Sequence, residues 1–187
     1  MRIPRSIICC LWPILAVAWS IRAQAQDGTE ASKSVRDFVQ EFYSWYVPEA
    51  VKKHKGPAWD LALKYKGHTF SAELFRALKD DSGAQARVKG EIVGLDFDPF
   101  LNTQDPCESY ELGNITRKDN HYRVDLYSVC SGKRSERPDV ICEVAGTNGN
   151  WVFVNFLYEN MMKEYPNSAN LLATLKLLQE ERKHNSP

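Results

Sequence analysis

The chain has no apolar run long enough to span a bilayer. Its one run of that character, Ile7–Trp19, covers 13 residues and contains Pro13, whereas a spanning helix needs about 20. It also lacks the short paired Cys or His spacings of a zinc site, the GxSxG elbow of serine hydrolases, and a Cys set with a His motif for nucleophilic chemistry. No excess of one charge exists: Lys and Arg number 24, as do Asp and Glu. There is no internal repeat and no low-complexity stretch. The four histidines, His54, His68, His121 and His184, sit in Lys-rich or loop contexts and read as solvated surface groups.

What is present begins with MRIPRSIICCLWPILAVAWSIRAQAQ, in which Arg2 and Arg5 precede the apolar run and Ala23-Gln24-Ala25 follows it. That order is the layout of a secretory signal peptide, with cleavage expected after Ala25. Cys9 and Cys10 would leave with it. The expected organisation is a signal peptide over 1–25, a mobile leader over 26–33, and a single domain over 34–183. Removing 25 of 187 residues leaves 162, one ordinary domain. Three arginines and no acid depart, so 21 basic residues remain against 24 acidic ones, a net of −3. Nucleic acid is excluded as a partner, because phosphate contacts need clustered Lys and Arg. No membrane partner is expected after cleavage, no cofactor is called for, and the location is periplasmic or secreted.

Three cysteines then remain, Cys107, Cys130 and Cys142, in a compartment where thiols oxidise. A hairpin centred on RKDN, residues 117–120, pairs positions whose numbers sum to 237, which sets Cys107 opposite Cys130. Cys142 could instead reach Cys130 across the next hairpin. It alternates with Val140 and Val144 on an apolar face, however, where a buried free thiol is the common outcome.

Secondary structure follows from periodicity. Val35, Phe38, Val39, Phe42, Trp45 and Tyr46 keep helical spacing, with Ser34 as N-cap and Pro48 as a kink or stop. Trp59, Leu61, Leu63 and Tyr65 suit a short helix or a loop segment. GHTFSAELFRALKDD predicts a helix capped by Ser71 that ends near Asp80. Then come CESYELGNI, YRVDLYSVC, DVICEVAG and WVFVNFLY, strand-like runs joined by turns, with Asn148-Gly149 the strongest hairpin signal. NSANLLATLKLLQEERK closes the chain as an amphipathic helix. Helices followed by consecutive strands predict an α+β domain, an antiparallel sheet with the helices on one face.

The blocks FVQEFYSWYV, EIVGLDFDPFLNTQDP, SGKRSERPDVICEV and GNWVFVNFLY followed by NLLATLKLL resemble a bacterial secreted domain-of-unknown-function family, number 3828, of the nuclear-transport-factor-2-like superfamily. The resemblance spans about Val35 to Leu178. It implies a cone-like fold, in which a curved sheet wraps the helices, and an export route, without a reaction.

The residues with chemical potential fall in two groups. In LDFDPFLNTQDPC the oxygen-bearing side chains of Asp96, Asp98, Asn102, Gln104 and Asp105 are crowded together. Asp96, Asp98, Asn102 and Gln104 match positions 1, 3, 7 and 9 of an EF-hand loop, but Phe100, Leu101 and Cys107 stand where that loop needs a ligand, a glycine and a bidentate carboxylate. A pair of acids for proton transfer would need one carboxyl desolvated. An oxygen-ligand cation site of another kind stays open, since a hard cation needs only enough converging oxygens, but the simpler expectation is a turn in which Asp98 before Pro99 and Asp105 before Pro106 cap backbone amides. The second group is Asn155, placed by strict alternation on one face with Trp151, Phe153 and Leu157, together with Tyr158, Trp45 and Tyr46. It would line a small ligand pocket between helix and sheet, unless Asn155 is a core amide satisfied by backbone. Lys133, Arg134 and Arg137 form a basic loop suited to an acidic partner or to plain solvation.

The functional expectation is an exported, non-catalytic binding or interaction module whose partner is a small molecule or a protein. A small enzyme using Asp96, Asp98 and Asp105, and an inhibitor or immunity partner using a strand edge and the Ser131–Arg137 loop, are the alternatives.

Overall fold

The computed structural model describes residues 14–147, 150–158 and 169–184 of the chain. Two compact units are present, Met1–Ser34 and Val35–Pro187. In the first, the described residues are helical. The second carries α1 from Val35 to the end of that helix, the remaining helices and the sheet.

Helix α1 covers Ile14–Ala50. Its bounds include residues 26–33, expected to be a mobile leader, and Ser34, expected to be an N-cap. The physical reason lies in the composition of Thr29–Ser34: Glu30, Ala31 and Lys33 are helix formers, and no proline interrupts them. Pro48 falls in the last turn of α1, where removing one backbone bond costs little before the helix stops. Helix α2 is Trp59–Tyr65, a short 3-10 turn covers Gly67–Thr69, and α3 is Ala72–Arg87. Ser71 caps α3, its hydroxyl accepting from the Leu74 amide at 3.2 Å, and Glu73 occupies the first turn where the helix dipole favours an anion. The helix continues two turns past Asp80, because Asp81 and Ala84 are buried and the polar stretch is not a linker.

The sheet is open and antiparallel, an α+β arrangement as expected. Its long strands are β1 (Ser109–Lys118), β2 (His121–Cys130), β4 (Val140–Thr147) and β5 (Asn150–Leu157), in the order β1-β2-β4-β5. The two-residue β3 (Lys133–Arg134) continues the β2–β4 hairpin against the end of β2. Helix α4, Leu171–His184, closes the described chain. The last β4–β5 pair is Thr147 with Asn150; the Asn148-Gly149 turn itself lies outside the described residues.

Two bulges set the register. Next to the β1–β2 turn, paired positions sum to 239, as in Lys118 with His121; beyond an irregularity between Leu112 and Ile115 they sum to 238. The ladder ends at Ser109 with Val129, and the Cys107–Cys130 disulfide closes the hairpin just past it, with Cα atoms 5.0 Å apart. Cys142 is a buried free thiol. The second bulge, in β5, makes Val154 an extra residue between Phe153, which faces Val144, and Asn155, which faces Glu143.

The core lies between the C-terminal half of α1 and one sheet face. Tyr122, Val124 and Leu126 of β2, Val140, Cys142 and Val144 of β4, and Phe153 and Phe156 of β5 share that face. Phe42 is the hub: its ring stacks on Tyr46 at 5.5 Å and meets Phe70, Phe100 and Phe153 edge-on at 5.7, 5.6 and 4.9 Å. Aromatic pairs in this geometry contribute about 0.5–1.5 kcal/mol each beyond their burial. Phe38 is half-buried, its ring 4.8 Å from Phe153.

Candidate functional site

The acidic stretch folds into a tight turn organised by one carboxylate. Oδ1 of Asp98 accepts the amides of Phe100 at 2.9 Å and Leu101 at 3.2 Å. Its backbone amide donates to the Thr103 carbonyl at 2.8 Å, and its carbonyl accepts from Asn102, which sits at φ 53°. An Asx residue ahead of proline is built for this, since its side chain imitates the next turn of backbone. Asp105 is exposed; its backbone is engaged by Thr103, whose hydroxyl accepts the Asp105 amide at 3.0 Å. Asp96 is exposed and its Oδ2 lies 3.5 Å from the Gln104 amide nitrogen, while the Asn102 side chain donates to the Asp139 carbonyl at 3.1 Å. Of the five oxygen-bearing side chains only Asp96 and Gln104 meet, and Asp98, Asn102 and Asp105 turn elsewhere. Among the described residues no three His, Cys, Asp or Glu side chains are arranged to hold a metal ion.

Three buried tyrosines tie this turn to the core. Tyr46 of α1 donates its hydroxyl to Asp98 Oδ2. Tyr43, one face round, donates to the Phe100 carbonyl at 2.9 Å, and Tyr158, just past β5, donates to the Pro99 carbonyl at 2.8 Å. Three successive residues, 98 to 100, are thus each held by a phenol. The arrangement solves a definite problem: Phe100 and Leu101 are buried, so the carbonyls beside them need internal donors.

Burial pushes the Asp98 carboxyl up to about 6, against the opposing pull of the Tyr46 hydroxyl and the two amides. The same burial lifts the Tyr46, Tyr43 and Tyr158 phenols well above their ordinary range, helped by the neighbouring Asp98 charge. Tyr110 on β1 is raised to about 12. Cys142, whose sulfur lies 3.2 Å from the Tyr43 hydroxyl, is pushed up to about 12 by burial and is inert as a thiolate.

The residues expected to line a pocket do not come together. Tyr46 and Tyr158 are fully buried and committed to the turn; Trp45 is half-buried beneath the Lys66 ammonium, 5.7 Å from its ring. Asn155 lies on the opposite sheet face from Trp151 and Phe153, because the Val154 bulge reverses the alternation on which the expectation rested. There it caps α4. Its Oδ1 accepts the Leu172 amide at 3.2 Å, while its Nδ2 donates at 3.1 Å to Asn170 Oδ1, which itself accepts the Ala173 amide at 3.0 Å.

A second polar centre has no counterpart in the sequence reading. Asp81 of α3 is fully buried, pairs with Arg182 of α4 at 2.7 Å and accepts the Leu95 amide at 2.8 Å. Arg182 also donates to the Val93 carbonyl at 2.8 Å. Gln85, one turn on, accepts the amides of Val93 and Gly94. Gly94 is required: a Cβ there would stand 2.6 Å from Asp81 Oδ2. The signal was present in Leu74, Leu78 and Asp81, which place a carboxylate on the apolar stripe of a helix. Across the outer sheet face Glu143 accepts from Arg123 at 3.0 Å, with His121 Nε2 3.1 Å away. In the basic loop, Arg134 pairs with Glu111 at 3.2 Å and covers the Tyr127 ring at 3.5 Å; Lys133 and Arg137 are exposed.

Comparison with known proteins gives a fold and nothing further. No family model matches the chain, and no curated protein matches it. It is similar to a crystal structure of a protein of unknown function from Bacteroides thetaiotaomicron VPI-5482, with a TM-score of 0.52 and 20% identity over 73% of this chain and 98% of that one.

Proposed function

We propose that the chain is an exported, non-catalytic interaction module that meets its partner at its surface. The observation that carries this is the occupancy of its interior: the rings of Phe42, Phe70, Phe100, Phe153 and Phe156 fill the space between α1 and the sheet. The Tyr43, Tyr46 and Tyr158 hydroxyls that could have greeted a ligand there are spent on the turn. Export and leader cleavage after Ala25, to the periplasm or beyond, belong to this reading, as does kinship with the secreted family of unknown function. The disulfide fits an oxidising compartment. No helix among the described residues is long and apolar enough to cross a membrane.

Fractionation and native mass spectrometry of the protein from an exporting host test the reading. Support is a processed chain outside the cytoplasm, free of small molecules. A stoichiometric small molecule retained on the folded chain would overturn it.

A small enzyme remains the second reading, on the single observation that Asp98 is a half-buried carboxyl raised to about 6 beside a phenol. Asp96 and Asp105, its expected partners, are exposed. Turnover abolished by Asp98→Asn in a folded protein would establish it. An inhibitor or immunity role would use the β1 edge and the loop from Ser131 to Arg137, of which Lys133 and Arg137 are exposed.

A further inference from the structure

The strongest concentration of one charge lies where α1 hands over to α2. Between Val51 and His68 stand Lys52, Lys53, Lys55, Lys64 and Lys66 against one acid, Asp60, in a chain whose overall formal charge is zero. Two of these cations have local partners: Lys52 reaches Glu49 at 2.6 Å, and Lys66 lies 3.8 Å from Glu41. Lys53 and Lys55 are exposed and pair with no acid among the described residues. Lys64 leans over the Tyr65 ring at 4.7 Å.

The stretch is continuous in sequence from the end of α1 through α2. Lys66, just past α2, reaches the Glu41–Trp45 side of α1. Val51 is 50% exposed and Tyr65 is 58% exposed, two of the four large apolar residues left open to solvent among the described residues. A charge run alone is ordinarily a solvated face, and lysines past a helix C-terminus also suit its dipole. Neither account calls for an open valine and an open tyrosine beside them.

From this we infer that the α1–α2 corner is a peripheral docking surface for an anionic lipid bilayer. Every cation in the stretch is lysine. Lysine is a flexible, strongly hydrated point charge, suited to a plane of mobile headgroups; recognition of a fixed carboxylate on a protein favours the planar fork of arginine, absent between Arg36 and Arg76. Lysine stems can lie along the surface with ammonium groups at the headgroups, and a tyrosine ring sits naturally at the interface. No spanning segment is needed, and the expectation that no membrane partner remains after cleavage would fall with this inference. The inference stands apart from whether the interior takes a ligand.

Vesicle co-sedimentation of the full chain decides it, with phosphatidylcholine vesicles compared to vesicles containing phosphatidylglycerol. The expected result is binding to the anionic vesicles alone, released by raised salt. A Lys53→Gln/Lys55→Gln variant should bind about 30-fold more weakly, roughly fivefold for each lysine near the surface. Arg117→Gln/Lys118→Gln, an equal loss of charge at the β1–β2 turn, should bind like the original chain. Tyr65→Ser should weaken binding to anionic vesicles while thermal unfolding stays unchanged. The Ile7–Trp19 run and its flanking arginines are common to all variants and cancel when the variants are compared on the anionic vesicles. Equal binding to both vesicle types, equal loss in both double variants, or capture by soluble polyglutamate with no vesicle binding would each overturn it, the last assigning the patch to an acidic protein.

Discussion

Arg182 closes on Asp81 at 2.7 Å across 101 residues of sequence, and this one pair joins α3, α4 and the strap carrying Val93 and Leu95. A buried carboxylate that loses its cation is costly, whereas replacing both partners removes the cost of desolvation with them. Arg182→Met and Asp81→Leu should each lower stability by about 3 kcal/mol in urea unfolding. The double variant should lose clearly less than the sum. Simple additivity would mean the pair is not coupled.

Asp98 gives the protein a pH dependence of defined sign. Its folded pKa of about 6 lies above the ordinary 3.8, so the folded state holds the proton more tightly than the unfolded chain. That stabilising contribution is complete below the unfolded value and is lost as pH rises through about 6. The loss should be on the order of 2 kcal/mol. Asp98→Asn cannot ionise and should lack this component, so the stability difference between the two proteins should change between about pH 4 and pH 6. A constant difference across that window would show that the carboxyl is not desolvated.

Asn155 offers a clean separation of pocket from cap. Asn155→Ala leaves the Leu172 amide without its acceptor and Asn170 without its donor, and should cost about 1–2 kcal/mol. Hydrogen exchange should quicken at Leu172 and Ala173, the first turn of α4, with the sheet amides little changed. Unchanged exchange there would remove the capping role.

The three cysteines of the second unit should separate by reactivity. Reducing the Cys107–Cys130 bridge, whose ends are 23 residues apart, should lower stability by about 3 kcal/mol on the chain-entropy account. A thiol reagent should then modify two cysteines in the folded protein. Cys142, fully buried and raised to about 12, should react only in denaturant. Prompt modification of Cys142 in the native state would contradict the packing around Tyr43.

The fold class was legible because each element carries its own period: Val35, Val39, Phe42 and Tyr46 mark one helix face, and Tyr122, Val124 and Leu126 mark one strand face. Local turn chemistry was legible too, as the Asp98-Pro99 turn and the Ser71 cap demonstrate. What escaped depends on a single inserted residue or on a distant partner. Strict alternation put Asn155 among aromatics, and the bulge at Val154 moved it to the other face. The irregularity between Leu112 and Ile115 likewise shifted the β1–β2 register, although the Cys107–Cys130 pairing survived. Helix α3 outran its expected end because Asp81 is made acceptable in the interior by an arginine of the last helix, and no local window contains both.

The two margins of the sheet are unequal. Along β5, Phe70 bridges to Phe153, and the chain at Ala169 and Asn170 takes up the backbone of Leu157 and Tyr158. Along β1, Arg36 donates to the Gly113 carbonyl at the irregular point, and Arg117 and Lys118 crowd the end. Growth by addition of a foreign strand is therefore a one-sided affair. It would begin at β1 and meet the Arg36 guanidinium and two cations before it could extend, which is how an open sheet edge is kept from pairing with another chain.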